Sequence, residues 1–353
     1  MLRKCIAILL AVAMVLIVGG CGAPAEPAGE EPQTTTSTTT TTTVSTTTTT
    51  AAPTKQFNIV TGEYDIPLNA STRPVGIMIA NDSWAARPQA GLETADLFVE
   101  IETEGAITRI LAIFGSSERV PALLAPVRSA RSPFVQIAQA LDLVYLHAGG
   151  SVPAKATLSK IDIDHLDSAA CWREESLWNE RDYEHSLSTG GKKLTEYLAD
   201  RSWETTPTRD MPYAFGKIKG NAAGKVAQVK ISASETATFR YDDTSGLYTK
   251  YLGSTASDEL HETLDGKITV SNVIVLYGDK YGESATNGAT CNFDLANGNG
   301  KLITGGTARD ITYTVTADGF KLYETDGSIA SVATGKTYIC IADTAYAEAL
   351  KLS

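Results

Sequence analysis

A segment with two arginines and two serines lies between two apolar runs, and this order constrains the fold more than any other feature of the chain. Residues 110–114 and 141–147 have the apolar character of strands, and residues 125–134 lie between them. Pro133 fits the first turn of a helix, because its missing N–H would have no intrahelical partner there. The predicted order is therefore strand, arginine segment, helix, strand.

The arginine segment has the composition of an anion site. Arg128 and Arg131 are three residues apart, with Ser129 between them and Ser132 directly after. Backbone N–H groups at a helix N-terminus, with guanidinium groups beside them, are suited to binding carboxylates and phosphates. We therefore expect these four residues to bind an anionic ligand.

A row of glutamates precedes the arginine segment. Residues 95–102 alternate acidic with apolar side chains, which indicates a half-buried strand, and Glu100, Glu102 and Glu104 would share one face at a spacing of two. One interpretation is a solvated sheet face with Arg109 as a partner. Another is a cleft wall that faces the arginines. A structural alternative to ligand binding is that Arg128 and Arg131 pair with these glutamates and hold the cleft walls together.

The start of the chain has the pattern of a lipoprotein signal peptide. Two basic residues precede an apolar run at residues 6–18, and small residues come directly before Cys21. The run is shorter than the ~20 residues that a spanning helix needs, so an uncleaved anchor fits less well. We expect cleavage after residue 20, lipidation of Cys21, and location at the extracytoplasmic face of the cell membrane.

A Thr-rich segment follows the signal peptide. Residues 21–56 contain almost nothing that could form a core, and Thr and Ser dominate from Thr34 to Thr50. Such a composition cannot bury enough apolar area to offset the entropy of ordering, so we expect a disordered tether. The predicted folded domains are residues 57–220 and 221–353.

The predicted secondary-structure pattern changes near residue 220. Helix and strand patterns alternate before it, and short β segments separated by turn residues follow it. This predicts a mixed α+β fold, with an N-terminal α/β portion that has a mixed sheet and packs against a mainly antiparallel β C-terminal portion. Gly-Asn-Gly at 298–300 and Asp-Gly at 318–319 and 326–327 predict hairpin turns.

Charge and cysteine content exclude some functions. The formal net charge of −11 argues against nucleic acid as a partner, because binding to phosphates requires a basic face. No cysteine or histidine spacing indicates a metal site, and no cofactor is expected. Cys291 and Cys340 could form a disulfide, or they and Cys171 could be three buried thiols.

Two histidines are candidate catalytic residues. His147 ends a predicted strand and precedes Gly149 and Gly150, whose backbone N–H groups could approach a ligand closely. His147 could be a general acid or base, or a hydrogen-bonded histidine at a strand end. His185 precedes a helix predicted from about residue 192, and with the serines that follow it could instead form an N-terminal cap.

Several short segments occur together and in order along the chain. They are 73–75, 86–89, 105–109, 126–131, 147–150, His185, 241–242, 271–275 and 298–300. Through these segments the chain resembles the YerB-like bacterial lipoprotein family over nearly all of residues 73–343, and residues 127–131 are the most specific element. The resemblance implies a two-part extracytoplasmic domain of unknown function. The chain departs from the pattern at Asp82, Glu184 and Ser186.

Two functions compete on this basis. The first is a lipid-anchored binding or scaffolding module, whose arginine-lined pocket holds an anionic envelope component or a protein partner. The alternative is a hydrolase or transferase acting on cell-envelope polymers, with His147 or His185 as base and Glu102 or Glu104 as acid. The predicted ligand-binding residues are Arg128, Ser129, Arg131, Ser132, Asn81, Arg87, Arg109, His147, Gly149 and Gly150.

Lipidation at Cys21 is directly testable. Metabolic labelling with a fatty-acid analogue should tag the wild-type chain, because the thiol of Cys21 is the expected acceptor. The variant Cys21→Ala should lose the label. Equal labelling of the two chains would show that the anchor is elsewhere.

Overall fold

The central sheet contains strands from both ends of the chain. In the computed structural model, which describes residues 54–353 except 219, 254–258 and 284–289, strand Leu97–Glu102 pairs in parallel with strand Thr337–Asp343. All six residues of the first strand are buried, which is typical of a strand covered on both faces. The predicted signal peptide, Cys21 and the tether up to residue 53 lie outside the described residues.

The N-terminal part alternates strands with short helices. Its strands are β1 (Lys55–Asn58), β2 (Glu63–Pro67), β3 (Val75–Ala80), β4 (Leu97–Glu102), β5 (Thr108–Phe114), β6 (Val144–His147), β7 (His165–Asp167), β8 (Trp172–Arg173) and β9 (Leu187–Ser188). Its helices are α1 (Ser83–Ala86), α2 (Ser132–Ala140), α3 (Val152–Leu158), α4 (Glu175–Glu180) and α5 (Gly191–Ala199), and 3-10 turns lie at Leu92–Thr94, Glu104–Ala106, Ser117–Arg119 and Tyr183–Ser186.

Strands are the main regular elements of the C-terminal part as far as it is described, and a 3-10 turn lies at Thr344–Ala349. The strands are β10 (Ala214–Phe215), β11 (Ala222–Ala223), β12 (Val226–Lys230), β13 (Thr236–Asp242), β14 (Leu247–Leu252), β15 (Glu259–Leu260), β16 (Thr269–Val270), β17 (Asn272–Glu283), β18 (Thr290–Asp294), β19 (Asn297–Thr304), β20 (Thr307–Thr316), β21 (Gly319–Tyr323), β22 (Ser331–Val332), β23 (Thr337–Asp343) and β24 (Lys351–Leu352).

Two large sheets organise these strands. The mixed sheet runs in the order β11-β20-β19-β17-β23-β4-β5-β3-β6-β7, and β18 and β21 extend it beside β17 and β20. The second sheet is antiparallel and runs β15-β14-β13-β12-β24, with β16 beside β14. The predicted mixed α+β fold is confirmed. The mixed sheet continues across residue 220, and the proposed domain limits stay predictions.

An apolar core covers each face of the mixed sheet. Alternate residues of β4 enter different cores, since successive side chains of a strand point to opposite faces. Leu97, Val99 and Ile101 pack with residues of α2 such as Phe134. Phe98 packs on the other face with residues of the antiparallel sheet. Glu100 therefore points towards the antiparallel sheet.

One predicted turn is wrong. The Gly-Asn-Gly sequence at 298–300 lies inside β19 and pairs with β20. A Cβ atom at Gly298 would lie 2.6 Å from the Tyr277 carbonyl oxygen and 2.6 Å from the Tyr313 ring. Glycine is needed here because neighbouring groups approach the strand closely. The Asp-Gly pair at 318–319 does lie at the hairpin turn that joins β20 to β21, with Gly319 as the first residue of β21.

The cysteines do not form the disulfide that the sequence allowed. Cys171, Cys291 and Cys340 are free thiols. Burial raises the pKa of the Cys291 thiol to about 12, and that of buried Cys340 lies well above its ordinary value. The thiolate is the reactive form, so these groups have the properties of packed thiols rather than redox centres.

A buried ion pair joins the mixed sheet to the antiparallel sheet. Lys250 Nζ of β14 lies 3.3 Å from Glu100 Oε2 of β4, and neither side chain is exposed. Tyr338 Oη donates to Glu100 Oε2 at 2.6 Å. Asn81 Nδ2 and Thr108 Oγ1 each donate to Oε1 at 2.7 Å. Although burial raises the pKa of Glu100, the charge of Lys250 and these hydroxyl donors bring it below its ordinary value.

His261 accepts a second hydrogen bond from the Lys250 ammonium group. His261 Nδ1 lies 3.0 Å from Lys250 Nζ, and His261 Nε2 lies 3.0 Å from Gln89 Oε1. Burial and the charge of Lys250 hold the pKa of His261 well below its usual range, so the ring is neutral. A neutral ring can accept from Lys250 at one nitrogen and donate to Gln89 at the other.

Removal of one member of this pair should destabilise the whole fold. The variant Lys250→Met leaves Glu100 charged and buried, which should cost on the order of 3–5 kcal/mol in the free energy of unfolding. Adding Glu100→Gln should recover part of that loss, because the amide keeps an acceptor and carries no charge. Urea unfolding measures both. If the unfolding free energy of Lys250→Met lay within about 1 kcal/mol of the wild-type value, this role of the Lys250–Glu100 pair would be contradicted.

Candidate functional site

The backbone of the arginine segment is held from three sides. Arg128 N donates to the Met78 carbonyl of β3 at 2.9 Å, and the Arg128 carbonyl accepts from Ala148 N at 2.9 Å. Val127 N donates to the Leu187 carbonyl at 2.7 Å. Helix α2 begins directly afterwards at Ser132, with Pro133 in its first turn, as the sequence predicts. These bonds fix where the arginine side chains leave the backbone.

A cavity of about 410 Å³ lies over this segment. Four arginines and two glutamates contribute to its lining, so cationic groups are in excess although the chain as a whole carries a net charge of −11. Ser129 also lines it. The charged lining residues are Arg109, Arg128, Arg131, Arg173, Glu104 and Glu184.

Glu104 binds two of the arginines. Arg131 Nε donates to Glu104 Oε2 at 2.6 Å, and its Nη2 donates to Oε1. Arg109 Nη2 donates to the same Oε1 at 2.7 Å. Burial of Glu104 opposes ionisation, but the bond from Arg131 and the charge of Arg109 bring its pKa below the ordinary value. Arg131 therefore forms a pair with a glutamate, as the structural alternative expects.

Arg109 is the most buried arginine of this cluster. Its Nη1 donates to the Ser129 carbonyl at 2.5 Å, which ties it to the arginine segment. Burial and the nearby charge of Arg131 lower the pKa of Arg109 to about 10. The two guanidinium groups thus repel each other, and Glu104 is the carboxylate that keeps them together.

Arg128 has a different kind of partner. Both of its terminal nitrogens lie 3.1 Å from Glu184 Oε2. The side chain of Glu184 is 70% exposed, whereas that of Arg128 is 19% exposed. An ion pair with such an exposed carboxylate contributes only ~0–1 kcal/mol. An incoming anion can therefore replace Glu184 at little cost.

The glutamate row is buried rather than solvated. Glu100 pairs with Lys250, as described above, and Glu102 lies 3.1 Å from Lys280 Nζ of β17. The solvated-face interpretation is wrong, since Glu100 and Glu102 are both buried. Among the three glutamates, Glu104 is the one that lines the arginine cavity, and it lies in a 3-10 turn after the strand.

Two predicted ligand residues belong to the buried contact between the mixed and the antiparallel sheet, around Glu100 and Lys250. Asn81 donates to Glu100, and Arg87 Nε donates to Asn81 Oδ1 at 3.2 Å. Arg87 also lies 3.1 Å from Glu235 Oε2. Burial and the charge of Glu100 raise the pKa of Glu235. Asn81 and Arg87 therefore act in the contact between the sheets, outside the lining of the arginine cavity.

The remaining predicted ligand groups have protein partners. Ser132 Oγ donates to Glu283 Oε2 at 2.8 Å. Gly149 N donates to Asp167 Oδ1 at 2.7 Å, and its φ of 68° is the left-handed conformation that glycine adopts without strain. Gly150 forms a bridge with Ala130. The Gly150–Ala130 bridge positions the loop after β6 against the arginine segment.

His147 and His185 contact different groups. His147 Nδ1 lies 2.7 Å from the Gly149 carbonyl, and its Nε2 lies 3.1 Å from His165 Nδ1. Burial lowers the pKa of His147. His185 Nε2 lies 3.5 Å from Asp82 Oδ2. Although burial of Asp82 opposes ionisation, His185 and Arg128 bring its pKa below the ordinary value.

The capping interpretation of the His185 segment is wrong. Helix α5 has Gly190 as its N-cap, without a side-chain cap bond. Within the described ranges, no glutamate is hydrogen-bonded to a ring nitrogen of His147 or His185. The same ranges contain neither a group of three potential metal ligands nor a helix long and apolar enough to cross a membrane.

Sequence analysis missed Arg173 and Glu184 in the cavity lining. Arg173 Nη1 donates to the Tyr183 carbonyl, and its guanidinium carbon lies 4.0 Å from the centre of the Tyr183 ring. Arg173 lies in the two-residue strand β8 and Glu184 in a 3-10 turn, and the sequence around them has mixed charges without clear periodicity. The available signal was their charge alone, which does not place them beside Arg128.

Comparisons with known proteins give a family and a fold. Residues 60–204 match the N-terminal domain of the protein family of unknown function DUF3048, and residues 227–339 match its C-terminal domain. The YerB protein of Bacillus subtilis strain 168, whose name describes it as a candidate lipoprotein, is 40% identical over 108 residues. That match covers 29% of this chain and 32%, about a third, of the relative.

A solved structure supports the fold. The crystal structure of the YerB protein from Bacillus subtilis superposes with a TM-score of 0.69 at 23% identity. The superposition covers 85% of this chain and 100% of the other. At this identity the similarity shows a shared fold.

Removal of the carboxylate between the arginines should destabilise the protein in a pH-dependent way. At pH 7, Glu104→Gln should cost about 1–3 kcal/mol in the free energy of unfolding, less than for a fully buried pair because Glu104 is partly solvated. The folded pKa of Glu104 lies below its ordinary 4.5, so its contribution is present above that pH and is lost as the pH falls below it. Chemical unfolding at pH 7 and pH 3 measures this.

Glu184→Gln is the matched control for this measurement. Its side chain is largely exposed, so the same chemical change should alter stability by less than about 0.5 kcal/mol at either pH. Equal effects of the two variants, or a Glu104→Gln loss that does not shrink at low pH, would contradict the role given to Glu104.

Proposed function

Because this chain belongs to the YerB-like DUF3048 family, we propose that it is a lipid-anchored binding module at the extracytoplasmic face of the cell membrane. Lipidated Cys21 anchors it, and the Thr-rich tether holds the folded part away from the membrane. The arginine cavity binds a carboxylate or phosphate group of an envelope component or of a protein partner. The signal pattern before Cys21 and the name of the Bacillus subtilis relative support the anchor.

The contact between Arg128 and Glu184 carries the proposal for the cavity. Glu104 satisfies Arg131 and Arg109, whereas Arg128 is satisfied by a carboxylate that is mostly in solvent. A ligand anion can take the position of the Glu184 carboxylate and bind both terminal nitrogens of Arg128. Such forked contacts are among the stronger hydrogen bonds in proteins.

This exchange requires movement of the exposed Glu184 side chain, while the arginines of the cavity wall keep their positions. Arg131 and Arg109 are fixed by Glu104, and the backbone of Arg128 is fixed by Met78 and Ala148. A preformed site loses less conformational entropy on binding, which increases affinity. The module therefore recognises the charge and shape of its ligand with a rigid surface.

The hydrolase or transferase alternative has no comparable support. It needs a histidine and a glutamate within hydrogen-bond reach in the arginine cavity. His147 contacts Gly149 and His165, and His185 contacts Asp82. Neither histidine is among the residues that line the cavity.

Replacing Arg128 should weaken anion binding without loss of fold. The variant Arg128→Gln should keep a near-wild-type melting temperature in anion-free buffer, because its only described ion pair is with an exposed carboxylate. Affinity for phosphate should fall about tenfold or more, as expected for loss of a charged hydrogen-bond donor. Calorimetric titration with phosphate and thermal unfolding at increasing phosphate concentration measure both quantities.

Two further variants control this experiment. Glu184→Gln removes the competing carboxylate and should strengthen phosphate binding. Lys192→Gln removes an exposed positive charge from α5, outside the cavity lining, and should leave phosphate binding unchanged. Equal phosphate affinity in the wild type and in Arg128→Gln would reject the proposed site.

A further inference from the structure

Two exposed aromatic side chains lie beside the arginine cavity. Trp178 of α4 is 50% exposed and Tyr183 is 53% exposed. Their ring centres are 5.0 Å apart and their planes make an angle of 70°, so the edge of one ring meets the face of the other. Adjacent exposed rings leave an apolar surface in water, which is typical of a binding surface. We call Trp178 and Tyr183 the aromatic rim.

The aromatic rim is connected to the cavity through charged neighbours. Arg173 lines the cavity and covers one face of the Tyr183 ring at 4.0 Å. Glu184 lines the cavity and directly follows Tyr183 in the same 3-10 turn. The anion contact at Arg128 and the exposed rings are therefore parts of one continuous surface.

The size and composition of this surface limit its ligand. A volume of about 410 Å³ lies in the ~300–1,000 Å³ range of small-molecule sites and exceeds what a single carboxylate needs. The cavity offers cationic donors, and the rim offers flat apolar faces. A sugar ring with an acidic substituent fits both, because its C–H face packs on an aromatic ring while its anion reaches an arginine.

We propose that the ligand is an acidic sugar residue of an envelope glycan. Its carboxylate or phosphate binds Arg128 in place of Glu184, and its ring packs on Trp178 and Tyr183. This inference rests on the proposed function and adds the chemical class of the ligand. Carboxylated and phosphorylated sugars share this chemistry, so both are included in the test.

Calorimetric titration of the mature chain with five small probes, and separately with an acidic peptide, tests the inference. The probes are glucuronate, glucose 6-phosphate, glucose, acetate and phosphate. One of the two sugar acids should bind about tenfold or more tightly than its matching simple anion, and glucose without an acidic group should not bind measurably. The preferred sugar acid then identifies whether a carboxylate or a phosphate is recognised.

Rim variants separate the ring contact from the anion contact. Trp178→Ala and Tyr183→Ala should lose the tenfold advantage of the sugar acid and keep the affinity for the simple anion. Tyr183→Phe keeps the ring and should bind the sugar acid almost as the wild type does. Arg128→Gln should weaken binding of both classes of probe.

The outcomes distinguish this inference from the proposed function. If phosphate or acetate binds through Arg128 but the sugar acids bind no more tightly, the ligand class is wrong and the anion site stands. If neither the simple anions nor the sugar acids bind, the proposed function itself fails. If an acidic peptide binds more tightly than the sugar acids and needs Trp178, the ligand is a protein partner, which overturns the glycan.

Discussion

Three glutamates spaced by two residues hold this structure together. Glu100 is paired with Lys250, Glu102 with Lys280, and Glu104 with Arg109 and Arg131. Both lysines come from the C-terminal half of the chain. An uncompensated buried charge is strongly destabilising, so β4 can reach its buried position only when strands β14 and β17 are also in place. One short stretch thus contacts both sheets and the arginine cavity.

The arginines of the cavity differ in how firmly their carboxylate partners hold them. Glu104 uses its negative charge to fix Arg131 and Arg109, which become part of the wall. Arg128 is left with Glu184, a carboxylate at the surface that a ligand can replace. Binding groups supported by a rigid scaffold keep their geometry, which favours specificity for a ligand of matching shape. The most buried of these charges are thus paired within the fold, and Arg128 keeps a partner that a ligand can replace.

Local pattern predicted the frame of the site but not its long-range partners. Apolar runs and Pro133 correctly predicted the order of strand, arginine segment and helix, because these depend on neighbours in sequence. The spacing of the glutamates was also visible, yet their lysine partners lie far along the chain, where local pattern carries no information. Lys250 lies two residues after Tyr248 on β14, so both side chains share the buried face of that strand. The sequence around Gly298 predicts a turn, but the glycine is needed because the Tyr313 ring approaches the strand there. That approach is a tertiary contact, which local sequence does not reveal.

The central claim is that an anion binds at Arg128 in the arginine cavity. A crystal of the mature chain soaked in selenate, a heavy analogue of sulfate and phosphate, tests this most directly through the anomalous signal of selenium. The account predicts a peak within hydrogen-bond distance of the Arg128 guanidinium, with the Glu184 side chain displaced from its present contact. Selenate bound elsewhere on the surface, with the Arg128–Glu184 pair unchanged and no peak in the cavity, would contradict it.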